Sequence, residues 1–96
     1  MKMYVIVRTD IPVAQQAVQG GHALAEHILG FPHSGWNNGT LVYLGVPHEY
    51  RLNRIADKLQ FLGIDAVIWR EPDMDNEATA IAACGCGDLL KNINCI

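Results

Sequence analysis

Two short apolar runs, neither with polar residues at alternate positions, restrict the fold more than any other feature of this chain. They are Met3 to Thr9 (MYVIVRT) and Leu41 to Val46 (LVYLGV), and both contain β-branched residues. Apolar runs of this length without polar alternation are typical of strands that are covered on both faces of a sheet. We therefore expect one sheet with helices on both sides, and the first run as a central strand.

A long helix is predicted between these two strands, from Pro12 to Leu29. Asp10 is a candidate N-cap, and Pro12 lies close to the first helical position, where proline is favoured. Gly30 and Pro32 are typical of a helix end. The first strand is therefore expected to turn directly into this helix.

A second helix and two more strands complete the predicted order. The helix follows Pro47 and His48 and ends near Gly63, and the residues on its apolar face are Leu52, Ile55, Leu59 and Leu62. Asp65 to Arg70 and Ala78 to Ala83 are the strands, and the connection EPDMDNE between them is too short for a crossover helix, so they are expected to be antiparallel. The prediction is a single α/β domain over residues 1–96, a three-layer α/β/α sandwich with a mixed four-stranded sheet.

Composition excludes several classes of protein. Half of the 96 residues are hydrophobic and 18% are charged, which favours a folded domain over a disordered chain. No apolar run approaches the ~20 residues of a membrane span, and the start of the chain lacks the apolar stretch of a signal peptide. Three cysteines, an odd number, do not make a disulfide framework. We expect a cytoplasmic protein with reduced thiols and no membrane partner.

The net charge of −3 comes from one loop. Glu71, Asp73, Asp75 and Glu77 lie within seven residues, and the rest of the chain holds seven basic against six acidic residues. The overall charge argues against unspecific binding of nucleic acid, which usually draws on a basic domain. The distribution weakens that exclusion for the chain outside the loop.

The first helix has an unusual polar stripe. At about 3.6 residues per turn, one face carries Gln15, Gln19, His22 and Glu26, and another carries Val13, Ala17, Leu24 and Ile28. Gly20 and Gly21 each cost the helix roughly 1 kcal/mol relative to alanine. Close packing or a closely bound ligand is expected to compensate, and the polar stripe is the first candidate for a functional surface.

Two short motifs resemble the type II peptidyl-tRNA hydrolase family, found in archaea and eukaryotes. Val7-Arg8-x-Asp10 is similar to that family's V-R-x-D, and Ala17-x-Gln19-x-x-His22-Ala23 is similar to its A-A-Q-x-x-H-A. The order of elements from about Tyr4 to Ala83 is similar too, and the ending WREPDMDNEATAIA resembles a divergent eukaryotic branch. The resemblance implies a type II peptidyl-tRNA hydrolase-like fold.

The resemblance also implies an activity, the hydrolysis of the ester between a peptide and the 3′ end of tRNA, with no metal or organic cofactor. It assigns the catalytic histidine to His22 and a catalytic threonine to Thr79. Asp73 or Asp75 would replace an aspartate of the family's missing D-A-G-R-T-Q loop, and a carboxylate of this acidic loop is expected to orient His22. The predicted substrate-binding residues are Asp10, Gln15, Gln19 and Trp36, the last from its place in a glycine-rich loop rather than from the family.

Gln15 marks a departure, because the family usually has a lysine at this place. The same groove in a member that has lost catalysis would be a binding module for a nucleotide end, a peptide or a protein. A metal site is disfavoured, because His22, Glu26 and His27 fit neither H-E-x-x-H nor H-x-x-E-H. A homodimer using the 41–46 strand or the 89–96 tail is compatible with either function.

Overall fold

The computed structural model describes residues 1–95 and contains four strands and two long helices. The strands are β1 (Met3–Arg8), β2 (Leu41–Val46), β3 (Ala66–Glu71) and β4 (Glu77–Cys84). The helices are α1 (Val13–Gly30) and α2 (Glu49–Phe61), and two short 3-10 turns cover Pro72–Met74 and Gly87–Leu89. Every element predicted from the sequence is present, with bounds that shift by one or two residues.

The four strands form one mixed sheet in the order β2-β1-β4-β3. β1 and β2 are parallel, and β4 is antiparallel to both of its neighbours, β1 and β3. The predicted small α/β domain with a mixed sheet, a central first strand and an antiparallel β3–β4 pair is confirmed.

The helices cover opposite faces of the sheet. Alternate residues of β1, such as Val5 and Val7, pack on the α1 side with Ala23. Ile6 points the other way and packs with the α2 residues Leu52 and Leu59. Because β1 is covered on both faces, polar residues do not alternate with apolar ones along its sequence.

The helix α1 buries a different face from the predicted one. Its buried residues are Gln16, Gln19, Gly20, Ala23 and His27, whereas Val13 and Leu29 are 80% and 76% exposed. The buried face of α1 is therefore neither the apolar stripe nor the whole of the polar stripe described from the sequence. The buried polar side chains have hydrogen-bond partners, which makes their burial tolerable. The Gln16 amide donates to the Ile11 carbonyl at 2.9 Å, and His27 Nε2 lies 3.1 Å from the Asp65 carbonyl.

Gly20 is explained by close packing. A Cβ at this position would lie 2.7 Å from the ring of Tyr43 on β2, so only glycine lets the helix approach the sheet here. The same burial raises the pKa of the Tyr43 hydroxyl. Gly21 has open space around it.

One detail of each helix differs from the prediction. Pro12 and not Asp10 occupies the N-cap position of α1, and the Asp10 carboxylate is bound to Arg8. In α2 the N-cap is His48, whose Nδ1 accepts from the backbone of Arg51. Leu62 lies beyond the end of α2 and is half exposed.

The C-terminal segment covers part of the outer edge of β2. Leu90 is buried, the Gly45 amide donates to the Asn94 carbonyl at 3.0 Å, and Cys95 forms an isolated bridge with Leu44. The chain's own tail thus occupies part of the strand edge predicted as an interface, and Ile96 of that tail lies outside the described residues. In residues 1–95 there is no helix with the length and apolar character to cross a membrane.

Candidate functional site

A β-bulge near the start of β4 creates the candidate site. Trp69 pairs with Ala80 and Arg70 with Ala78, so Thr79 is an extra residue opposite the break between Trp69 and Arg70. The bulge breaks the alternation of β4, because Ala80 packs on the α1 face whereas Ala78, two residues away, packs on the α2 face. The bulge turns Thr79 toward α1 together with Ala80, which regular pairing would not do.

Thr79 and Gln19 form a buried pair. The Thr79 hydroxyl donates to Gln19 Oε1 at 2.8 Å, and the two residues are 0% and 2% exposed. The second contact of the hydroxyl, to the Trp69 carbonyl, is 3.4 Å, so the single proton belongs to the shorter bond. With its oxygen held by Thr79, the Gln19 amide nitrogen points toward Gln15, whose Oε1 accepts from it at a long 3.4 Å.

His22 lies one turn further along α1, on the surface. Its ring stacks on Trp69 with centroids 4.5 Å apart and an interplanar angle of 14°. The Trp69 indole N–H donates to Glu71 Oε2 at 3.2 Å. The imidazole is therefore positioned by an aromatic ring that a carboxylate holds in turn, and its outer face is open to solvent.

A second polar cluster lies at the carboxyl end of β1, beside the bulge. The buried Arg8 guanidinium donates two hydrogen bonds of 2.9 Å to the Asp10 carboxylate, and a third of 2.7 Å to Glu77. It also donates to the Ala78 carbonyl at 3.2 Å. These contacts fix the start of β4 to the end of β1.

The charges of this cluster support each other. The two hydrogen bonds to Asp10 and the one to Glu77 raise the pKa of Arg8, although burial opposes the rise. In return, the bond from Arg8 lowers the pKa of the Asp10 carboxyl. On the same side, Glu49 at the start of α2 accepts from the Ala78 backbone N–H at 2.7 Å. The resulting ion-paired cluster places Asp10 beside the bulge and engages its side chain with Arg8.

The other predicted site residues fall into two groups. Gln15, Gln19, His22 and Thr79 lie together on the α1 side of the sheet. Asp73 and Asp75 lie in the exposed turn between β3 and β4, and within residues 1–95 neither makes a hydrogen bond to His22. The histidine-orienting carboxylate predicted from the loop is therefore not one of these two, and Glu71 acts on His22 only through Trp69.

Trp36 lies at the opposite end of the sheet. Its indole N–H donates to the Thr40 carbonyl, which also accepts from the Met3 backbone at the start of β1. Thr79 is near the other end of that strand, because Val7 pairs with Ala80. Trp36 therefore packs against the core and does not cover the site that contains Thr79.

Sequence reasoning missed Trp69, Glu71 and Glu49 as members of these clusters. Trp69 packs against the apolar core on the α1 side and also lies beneath His22, with its indole N–H on Glu71. The available signal was the spacing Trp69-x-Glu71, which puts both side chains on one face of a strand. The bulge itself has no local sequence signal, because alanines surround Thr79.

The fold is shared with a known structure of undefined function. A solved protein of unknown function, Atu0240 from Agrobacterium tumefaciens, matches with a TM-score of 0.78 over 99% of this chain and 96% of that chain. The two sequences are 13% identical, so the likeness concerns the fold alone. No protein-family model matches this sequence, and no curated protein matches it.

Proposed function

We propose that this chain is a peptidyl-tRNA hydrolase-like enzyme that cleaves the ester between an N-acylated aminoacyl group and the 3′ end of tRNA. The observation that carries the proposal is the convergence of Gln19, His22 and Thr79, the three residues that match the family's motifs, at one bulge. The hydrolase-like character of the fold is part of the same proposal.

In the proposed reaction His22 is the general base. It takes a proton from a water molecule as the water oxygen bonds to the ester carbonyl carbon, and it returns that proton to the ribose oxygen when the ester C–O bond breaks. The Gln19 amide nitrogen donates to the developing oxyanion. Thr79 keeps this nitrogen directed toward Gln15, which lies on the exposed surface, by binding the amide oxygen at 2.8 Å.

The remaining predicted residues have supporting roles. The stack on Trp69 holds the His22 ring in place of a direct carboxylate. Asp10 forms part of the ion-paired cluster next to the bulge and stabilises the start of β4 through Arg8. Asp73 and Asp75 lie in the exposed turn between β3 and β4 and have no direct part in the proposed reaction.

The test is hydrolysis of N-acetyl-aminoacyl-tRNA by purified protein in the presence of a metal chelator. Wild type is expected to release the acyl amino acid, and His22→Ala to lower kcat/KM by about 10²–10⁴, as expected for loss of a general base. His33→Ala is the matched control, because His33 is an exposed histidine in the loop between α1 and β2. This control should retain wild-type activity.

Two results would overturn the proposal. One is the absence of hydrolysis by wild-type protein on both N-acetyl-aminoacyl-tRNA and simple N-acyl-aminoacyl esters. The other is equal activity of His22→Ala and wild type. Circular dichroism of each variant establishes that the fold is retained.

One observation favours a second candidate function, a binding module for a nucleotide end. The stacked His22–Trp69 pair presents an open imidazole face on which a terminal base can continue the stack. The expected pattern for this function is no hydrolysis, saturable binding of tRNA by wild type, and loss of that binding in His22→Ala. Binding that is equal in wild type and His22→Ala would exclude the module at this site.

A further inference from the structure

A separate groove lies on the other side of the sheet, between the outer face of α2 and the segment 89–93. Its volume is about 810 Å³, within the usual range for ligand sites. Leu89 and Ile93 of the C-terminal segment and Ile55 of α2 give it an apolar floor. Because α1 and α2 cover opposite faces, this groove is independent of the site at Gln19 and Thr79.

The groove is positively charged in an acidic protein. Three cations, Arg51, Arg54 and Lys58, line it together with one acid, Asp57. The whole chain has a net charge of −3. The groove therefore attracts an anionic partner by local charge.

Exposed aromatic residues lie at both ends of the row of cations. Tyr50 is 65% exposed and Phe61 is 88% exposed, and both line the groove. At 1.5 Å rise per residue, they are about 16 Å apart along the axis of α2, and their separation of eleven residues brings them to the same face. The Arg54 guanidinium lies 5.9 Å from the Tyr50 ring centroid, which leaves the other face of the ring available.

We propose that this groove binds a single-stranded RNA segment, with backbone phosphates on Arg51, Arg54 and Lys58 and bases stacked on Tyr50 and Phe61. Proteins that bind single-stranded nucleic acid without sequence preference combine cations along its phosphate backbone with aromatic side chains on which the bases stack. An acidic peptide would use the same cations but gives no role to two exposed rings spaced about three turns apart. The inference does not rest on the proposed ester hydrolysis.

The experiment is fluorescence anisotropy with a labelled oligouridylate of about eight nucleotides and the full chain. Wild type is expected to bind saturably, with an affinity that falls as salt rises. The triple variant Arg51→Glu, Arg54→Glu, Lys58→Glu should weaken binding at least tenfold. Its slope of log affinity against log salt should be lower by about 2, since each phosphate contact in a single strand contributes about 0.7.

Two further variants test the contribution of base stacking in the groove and the effect of a charge change outside the groove. Phe61→Ala should weaken binding roughly tenfold with little change in salt slope, because it removes stacking but no cation. Lys2→Glu, at an exposed lysine that is not part of the groove, makes the same kind of charge change and should leave the affinity near wild type. Because the groove residues that are changed are exposed, all variants should retain wild-type circular dichroism.

Three outcomes would overturn the proposal: no saturable binding of the oligouridylate, binding that persists in the triple variant, or equal losses from Lys2→Glu and the groove variants. Displacement of the oligouridylate by a polyglutamate peptide at equal charge concentration would also overturn it, in favour of an acidic peptide as the occupant. Hydrolysis of acylated tRNA is measured separately with His22→Ala, so either proposal can fail alone.

Discussion

The two helices pack on opposite faces of one sheet and distribute their residues in opposite ways. α2 is conventionally amphipathic: Leu52, Ala56 and Leu59 are buried, and its charged residues are largely on the outside. α1 buries two glutamines and a histidine, and exposes Val13, Val18, Ile28 and Leu29. The α1 side of the sheet therefore combines an apolar core with buried polar contacts, whereas the α2 side is packed mainly by apolar side chains.

The contrast has a physical cost on the α1 side. Buried polar groups stabilise a fold only when each has a partner, and Gln16 and Gln19 have theirs. His27 is served incompletely, because within residues 1–95 its Nδ1 is the one buried side-chain nitrogen or oxygen that lacks a hydrogen bond. A helix that served only to cover the sheet would do so at lower cost with leucines, as α2 does. The burial of Gln19 is consistent with a helix whose residues also form the candidate site with Thr79.

The largest expected difference between the helices is the effect of truncating a leucine. Leu52→Ala in α2 should lower the free energy of unfolding by about 2–5 kcal/mol, because this fully buried side chain leaves a cavity. Leu29→Ala in α1 should change it by no more than about 0.5 kcal/mol, because the side chain is 76% exposed. Urea unfolding of both variants measures the difference.

A large loss of unfolding free energy in Leu29→Ala would contradict the expected difference between the two helices. It would mean that the exposed apolar residues of α1 are covered in solution, and a second copy of the chain is the simplest cover. Light scattering, together with unfolding at two protein concentrations, would reveal this, because the stability of a dimer depends on concentration.

The polar side of the comparison rests on the Gln19–Thr79 hydrogen bond. Gln19→Leu or Thr79→Val alone should cost about 1–3 kcal/mol, because each leaves the other group buried without its partner. The double variant should cost clearly less than the sum, with a coupling energy of about 1 kcal/mol in thermal or urea unfolding. Gln60→Leu, at an exposed glutamine of α2, is the control and should be nearly neutral. Additive losses would show that the two residues act separately.

Prediction from sequence succeeded where one physical rule dominates. The buried strands, the antiparallel β3–β4 pair and the α2 core face follow from apolar periodicity and from the length of the 71–77 connection. Periodicity does not identify the buried face of α1, because it assumes that the more apolar face is the buried one. Tertiary partners, such as the Thr79 hydroxyl and the Asp65 carbonyl, allow Gln19 and His27 to lie on the inner face of α1.

Only part of the candidate site could be predicted, because local spacing determines some of its contacts and tertiary packing determines the others. Gln19 and His22 share a helix, so their spacing brings them together, and the family resemblance added Thr79. The stacking of His22 on Trp69 depends on the register of β3 against α1, and the position of Thr79 depends on a bulge. Neither is encoded locally, so a carboxylate of the acidic loop was expected where an aromatic ring is found.

The smallest expected change in stability concerns Gly20 and Gly21 of α1. Alanine is favoured over glycine inside a helix by about 1 kcal/mol, so Gly21→Ala, in open space, should stabilise the protein by up to that amount. At Gly20 the added Cβ would lie 2.7 Å from the Tyr43 ring, and displacing the ring should reverse the gain into a loss of about 1 kcal/mol. Differential scanning calorimetry should therefore place the Tm of Gly20→Ala below wild type and that of Gly21→Ala above it. In a Tyr43→Ala background the two substitutions should have the same sign, because the obstacle is gone; opposite signs that persist there would show that Tyr43 is not the reason for a glycine at position 20.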